Sequence, residues 1–133
     1  MFGGEHSAHY YFRDFFNADT GMLAAMHVLA ALGEQDRPLS DLAEEYEPYV
    51  ASGEINSEVE DKAAMMDRVE QQFGVEGTTT SRMDGLTVAA DSGDWWFNLR
   101  PSNTEPFLRY NGEAKDTATM QRVRDEVLAV VRG

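Results

Sequence analysis

The sequence predicts a compact two-layer α+β domain over residues 51–133, an antiparallel sheet packed by two helices, preceded by a helical remnant over residues 1–50. Three observations carry this reading. Two capped helical stripes in the second half flank a strand-rich stretch. Within that stretch the apolar residues alternate with period two and turn residues punctuate them. The first half offers helical stripes but no apolar strands to receive them.

Taken in order, residues 19–32 read as a helix, because Met22, Met26 and Leu29 recur at spacings of four and three. Asp19 or Thr20 can cap its start and Gly33 can end it. A shorter helix over residues 38–46 carries Leu39, Leu42 and Tyr46 in a stripe before Pro48 stops it. These apolar faces need a sheet that the sequence does not contain. The pattern changes within residues 49–53, where the domain boundary is placed. Residues 53–59 are short and extended. Asp61 caps a helix with Met65, Met66, Val69 and Phe73 on one face, and Gly74 ends it. Residues 86–90 and 95–99 read as strands joined by Asp91-Ser92-Gly93-Asp94, and Trp95, Phe97 and Leu99 alternate with Trp96 and Asn98. A further strand covers residues 107–111. Asp116 then caps a last helix whose apolar stripe is Met120, Val123, Val127 and Val130 or Val131.

Composition narrows the function classes. With 24 Asp plus Glu against 11 Lys plus Arg, the formal net charge is −13, so the average field repels nucleic acid. A small anion is still admissible, since aimed donors act at ~3 Å while the diffuse field is screened beyond ~8–10 Å. Specific arginines must then do the binding. No cysteine is present, which removes thiolate catalysis, disulfides and cysteine metal sites. No apolar run approaches the ~18–20 residues of a membrane span, and no secretory leader opens the sequence. A cytoplasmic protein without a membrane partner is the expected setting.

Two loops carry chemistry. Arg100-Pro101-Ser102-Asn103-Thr104-Glu105-Pro106 lies between two predicted strands. Its arginine fork, two hydroxyls, one amide and loop N–H groups match the acceptor oxygens of a phosphate. The two prolines restrict the loop and lower the entropy lost on binding. Glu105 would repel an anion, so it is expected to accept loop N–H groups or to pair with an arginine. An ordinary polar hairpin loop has a similar composition. The second loop is Gly3-Gly4-Glu5-His6-Ser7-Ala8-His9, followed by Tyr10, Tyr11 and Phe12. In an extended segment Glu5, Ser7 and His9 fall on one side, where a carboxylate, a hydroxyl and an imidazole suit a sugar. A glycine turn leading into an aromatic core strand fits the same residues. His6, His9 and His27 lack the spacing of a zinc site.

Together the loops, about ninety residues apart, resemble those of the α-D-phosphohexomutases. The first matches the family's phosphate-binding loop, R-x-S-[GN]-T-E-P, and the second its sugar-specificity loop, in a form closer to the phosphomannomutase branch. The resemblance implies that residues 1–50 are the tail of the third, α/β domain and residues 51–133 the fourth, TATA-binding-protein-like domain. It implies that Glu5, Ser7 and His9 bind sugar hydroxyls, with His9 also able to assist proton transfer, and that Arg100, Ser102, Asn103 and Thr104 bind phosphate. The implied reaction interconverts mannose 6-phosphate and mannose 1-phosphate through a hexose 1,6-bisphosphate. The partners are then a hexose phosphate and the remaining phosphohexomutase domains. Neither a T-x-S-H-N-P-like nucleophile loop nor a D-G-D-x-D-R-like Mg²⁺ loop occurs in the sequence, so Mg²⁺ belongs to the full-length enzyme only and this polypeptide alone is expected to be inactive. A stand-alone phosphosugar-binding module, or a structural or interaction domain, would share these features without the chemistry.

Overall fold

The computed structural model of the chain describes residues 2–4 and 8–133. It divides into two units, Met1–Glu47 and Pro48–Gly133.

In the first unit, strands β1 (Phe2–Gly4), β2 (Tyr10–Phe12) and β3 (Ala18–Asp19) form a small antiparallel sheet in that order. The turn from β2 to β3 places Phe16 and Asn17 at φ of 58° and 54°, a left-handed pair that suits the twist of a tight hairpin. The expectation that the sequence holds no sheet for its first helices is therefore corrected: a short one exists. Its strands are two or three residues long, too short for any hydrophobic period to register. Helix α1 (Gly21–Gly33) starts where Thr20 Oγ1 accepts the Leu23 N–H at 3.3 Å. Asp19, the other candidate cap, is engaged elsewhere. Helix α2 (Leu39–Glu44) is shorter than its stripe and follows Pro38 directly. No described residue of this unit is buried; Met22 is 78% and Leu29 65% exposed.

The second unit is built differently. Its six strands are β4 (Val50–Ala51), β5 (Ile55–Glu58), β6 (Thr78–Ser81), β7 (Leu86–Ala90), β8 (Trp95–Pro101) and β9 (Phe107–Ala114). The sheet is antiparallel in the order β4-β9-β8-β7-β6, and β5 also pairs with β9. Helices α3 (Lys62–Phe73) and α4 (Thr117–Arg132) pack on it. Both begin at aspartate caps: Asp61 accepts the Ala64 N–H at 2.9 Å and Asp116 the Thr119 N–H at 2.8 Å. The Thr119 N–H first, then the Thr119 hydroxyl, hold the Asp116 carboxyl below its ordinary range.

One core joins sheet and helices. Leu86, Val88, Phe97, Leu99, Leu108 and Tyr110 point inward from the strands, Val69 comes from α3, and Val123, Val127, Leu128 and Val131 from α4. Val131 is the buried member of the alternative left open by the stripe; Val130 packs at its margin. The Phe97 ring meets those of Phe73, Trp95 and Tyr110 with centroids 5.6–6.1 Å apart. Burial pushes the Tyr110 hydroxyl up to about 12, so that group stays neutral. Two strands of this unit have no counterpart in the sequence reading. The β6 run Thr78-Thr79-Thr80-Ser81 is an edge strand with mostly exposed residues, and β4 has two residues. No helix among the described residues is long and apolar enough to cross a membrane.

Candidate functional site

The phosphate-loop candidates sit where β8 ends and β9 begins. Phe97 and Leu99 face the core, so by strand alternation Asn98 and Arg100 face outward. The Arg100 side chain is 59% exposed, and its Nε lies 3.5 Å from Asp84 Oδ1. Asp84 is brought there by the turn before β7. Asn98 Nδ2 donates to the Asp84 carbonyl at 2.8 Å, and Gly85 takes φ +74° against the β8 backbone. A Cβ on Gly85 would stand 2.2 Å from the Leu99 carbonyl oxygen, so only glycine lets this turn approach Arg100 so closely.

Beyond Arg100 the loop is held from within. Ser102 is buried; its N–H donates to the Phe107 carbonyl at 2.9 Å, and its Oγ accepts the Glu105 N–H at 3.2 Å. The acceptor side of that hydroxyl is thus used to shape the loop, and a contact with an anion would use its O–H. Asn103 and Thr104 form the exposed tip. Lys62, the first residue of α3, donates Nζ to the carbonyls of Ser102 at 2.7 Å and Glu105 at 3.0 Å. Nothing in the sequence marks Lys62, because it stands 40 residues from Ser102 along the chain. Of the two expectations for Glu105, the arginine pair is the one realised: its Oε2 accepts from Arg109 Nη2 at 3.3 Å. Arg100, Ser102, Asn103 and Thr104 are therefore gathered in one braced loop, with Lys62 and Arg109 beside it.

At the other loop, Glu5 and Ser7 lie outside the described residues. His9 is described and stands immediately before β2. Its Nδ1 is 2.8 Å from Asp19 Oδ2, while Asp19 Oδ1 accepts the Tyr10 N–H at 2.8 Å. The contact with His9 first, then the Tyr10 N–H, hold the Asp19 carboxyl below its usual range. This is why Thr20 rather than Asp19 caps α1. Asp19 carries no sequence signal for such a pairing, since it matches a cap equally well. Next to it, Tyr10, Phe12, Ala24, Ala25, His27 and Val28 line an open apolar groove of about 790 Å³, with the Phe12 and His27 rings stacked at 5.4 Å. Among the described residues no group of three or more His, Asp or Glu gathers to hold a metal ion.

Comparison with known proteins bears on the family and the fold. Residues 1–49 match the family model for phosphoglucomutase/phosphomannomutase alpha/beta/alpha domain III, and residues 54–130 match the model for the C-terminal domain of the same family. A protein of Xanthomonas campestris pv. campestris named "Phosphohexose mutases" is 40% identical across the whole of this chain, which covers 30% of that protein. The phosphomannomutase of Methanocaldococcus jannaschii is 38% identical over 95% of this chain and 27% of its own length. The crystal structure of a phosphoglucomutase/phosphomannomutase family protein from Burkholderia thailandensis superposes with a TM-score of 0.76 at 24% identity, covering 98% of this chain and 28% of that one; it bears on the fold alone. The chain thus spans about 30% of the length of the curated relatives it matches. With a model covering more than half of its residues and a second model covering the segment before it, the chain belongs to the phosphoglucomutase/phosphomannomutase family.

Proposed function

We propose that this chain supplies the substrate-gripping part of a phosphomannomutase, an intramolecular phosphotransferase that interconverts mannose 6-phosphate and mannose 1-phosphate through a hexose 1,6-bisphosphate. In this reading residues 1–50 belong to the third domain and residues 51–133 form the fourth. Arg100, Ser102, Asn103 and Thr104 hold the phosphate that is not reacting, while Glu5, Ser7 and His9 read the sugar hydroxyls. The observation that carries it is the braced loop. Arg100 is set on a rigid strand, and Lys62 and Ser102 fix the loop's backbone before any ligand arrives. A preorganised loop loses little entropy on binding, so a few charge-assisted hydrogen bonds of about 1.5–3 kcal/mol each suffice for a small anion.

Among the described residues no group of three or more His, Asp or Glu is placed to hold a metal ion. In this proposal Mg²⁺ and the phosphoserine nucleophile come from other domains of a complete cytoplasmic enzyme, and no step is assigned to them here. Phosphoryl transfer depends on positioning and charge neutralisation at the reacting group. The purified chain is accordingly expected to bind without converting substrate.

The test is an NMR titration of the purified chain with mannose 1-phosphate and, separately, inorganic phosphate. Amide shifts concentrated at residues 100–104, with millimolar affinity and abolished by Arg100→Ala, are the expected result. Unchanged spectra at saturating ligand would remove the assignment. Conversion of mannose 6-phosphate by this chain alone would show that the division of labour is wrong.

A further inference from the structure

We infer that Asp84 is a positioning residue for phosphate recognition: it holds the Nε side of the Arg100 guanidinium and leaves the Nη1–Nη2 end to the ligand. The inference rests on the proposed phosphate loop and names a residue outside it, on the turn before β7.

A guanidinium can meet an oxyanion through either of two edges, the Nε–Nη2 side or the Nη1–Nη2 end. On a flexible stem it samples both. In Arg100 the side edge is already occupied. Asp84 Oδ1 lies 3.5 Å from its Nε, and among the described residues no other ion pair or hydrogen bond engages this guanidinium. The end that remains carries donors on both nitrogens and matches two phosphate oxygens.

Asp84 is brought to this place by its backbone, not by its charge. Its carbonyl accepts from Asn98 Nδ2 at 2.8 Å, and the same amide nitrogen donates to Thr87 Oγ1 at 2.9 Å. Gly85 lies so close that a Cβ would stand 2.2 Å from the Leu99 carbonyl oxygen and 3.0 Å from the Arg100 Cα. Leu86 and Thr87 then pair with Leu99 and Asn98, which anchors the turn on the strand that carries Arg100. The turn therefore does not need the carboxylate. That group is 70% exposed, and among the described residues it meets Arg100 alone.

An acidic side chain beside an anion site opposes binding through its charge. It can favour binding only through the arginine it orients. Arginine has much rotamer freedom to lose, so a guanidinium held beforehand loses less when the ligand arrives. Repulsion between the exposed Asp84 carboxylate and the ligand is screened by water and salt. Orientation outweighs repulsion here.

The two effects have opposite signs, which makes the test direct. The full chain is titrated by NMR with inorganic phosphate and with mannose 1-phosphate, comparing the parent with Asp84→Asn. Asparagine keeps the side chain's size and the backbone bonds of the turn but removes the charge. Charge alone predicts tighter binding by this variant. Positioning predicts that affinity falls about two- to fivefold, the scale of an exposed ion pair. The Arg100 Nε–Hε resonance adds a signature that a merely structural role would not move. In the ligand-free variant it should shift toward that of a free arginine, with the Leu86 and Thr87 amides unchanged. In the parent, phosphate should perturb the Arg100 Nη groups more than Nε–Hε. Unchanged or raised affinity in Asp84→Asn overturns the inference. So does weaker binding with the Nε–Hε signal in place, or a parent whose Nε–Hε responds to phosphate more than its Nη groups. Each of these outcomes leaves the proposed function standing, provided that the parent binds and Arg100→Ala does not. A parent chain that responds to neither ligand removes both readings. Unchanged amide shifts for Phe97 and Val127 report that the variant keeps its core; should it lose them, the comparison of Nε and Nη in the parent still decides.

Discussion

The two units of this chain use similar residues to different ends. In the second, Val69, Leu86, Val88, Phe97, Leu99 and Val127 are fully withdrawn from solvent, and strand and helix residues share one core cluster. In the first, α1 carries a comparable stripe, Met22, Met26 and Leu29, yet each is at least 60% exposed. Apolar periodicity identifies a face; it does not say whether anything covers it. The second unit has what a self-sufficient fold requires, whereas the first holds its helices with the Thr20 cap of α1, an exposed Arg37–Glu45 pair and a three-stranded sheet too short to bury them.

Substitutions can break or sharpen this contrast. The largest effect is expected at Phe97, whose ring contacts three other aromatic rings: Phe97→Ala should destabilise the second unit by about 3–5 kcal/mol in urea unfolding. A loss below 1 kcal/mol would mean that the core is not shared as described. Next is Gly85→Ala, which forces a side chain into positive φ and onto the Leu99 carbonyl. A cost of about 2–4 kcal/mol is expected, accompanied by amide shifts at Arg100 as the turn withdraws. Asp61→Ala removes the cap of α3 and should cost about 1 kcal/mol, read as a lowered midpoint with an unchanged denaturant slope. At the other extreme, Met22→Ser on α1 should change stability by no more than about 0.5 kcal/mol. A larger loss there would show that α1 has a packing partner after all.

The legibility of the fold follows the same division. Helices α3 and α4 and strands β7 and β8 were readable because cap, period and turn signals lie within a few residues of one another. The unseen edge strand β6 has four hydroxylated residues whose pairing with β7 leaves no hydrophobic signature. The candidate phosphate residues were legible as a contiguous motif. Their supports were not. Lys62 reaches the loop from 40 residues away, and Arg109 joins it through register across the hairpin. Asp84 approaches through a turn whose closeness depends on Gly85. Asp19 illustrates a different limit: a carboxylate beside a helix start serves as cap or as histidine partner with the same sequence, and only the geometry chooses.

In the proposed reading, the grip of Lys62 on the two carbonyls ties phosphate binding to how well the first turn of a helix survives heating. Because that ammonium group belongs to the opening turn of α3, fraying of the turn on heating would slacken the loop while the rest of the sheet stays intact. Affinity for a phosphorylated ligand should consequently fade at a lower temperature than the one that melts the domain, and the gap between the two would measure how firmly a single turn is wound.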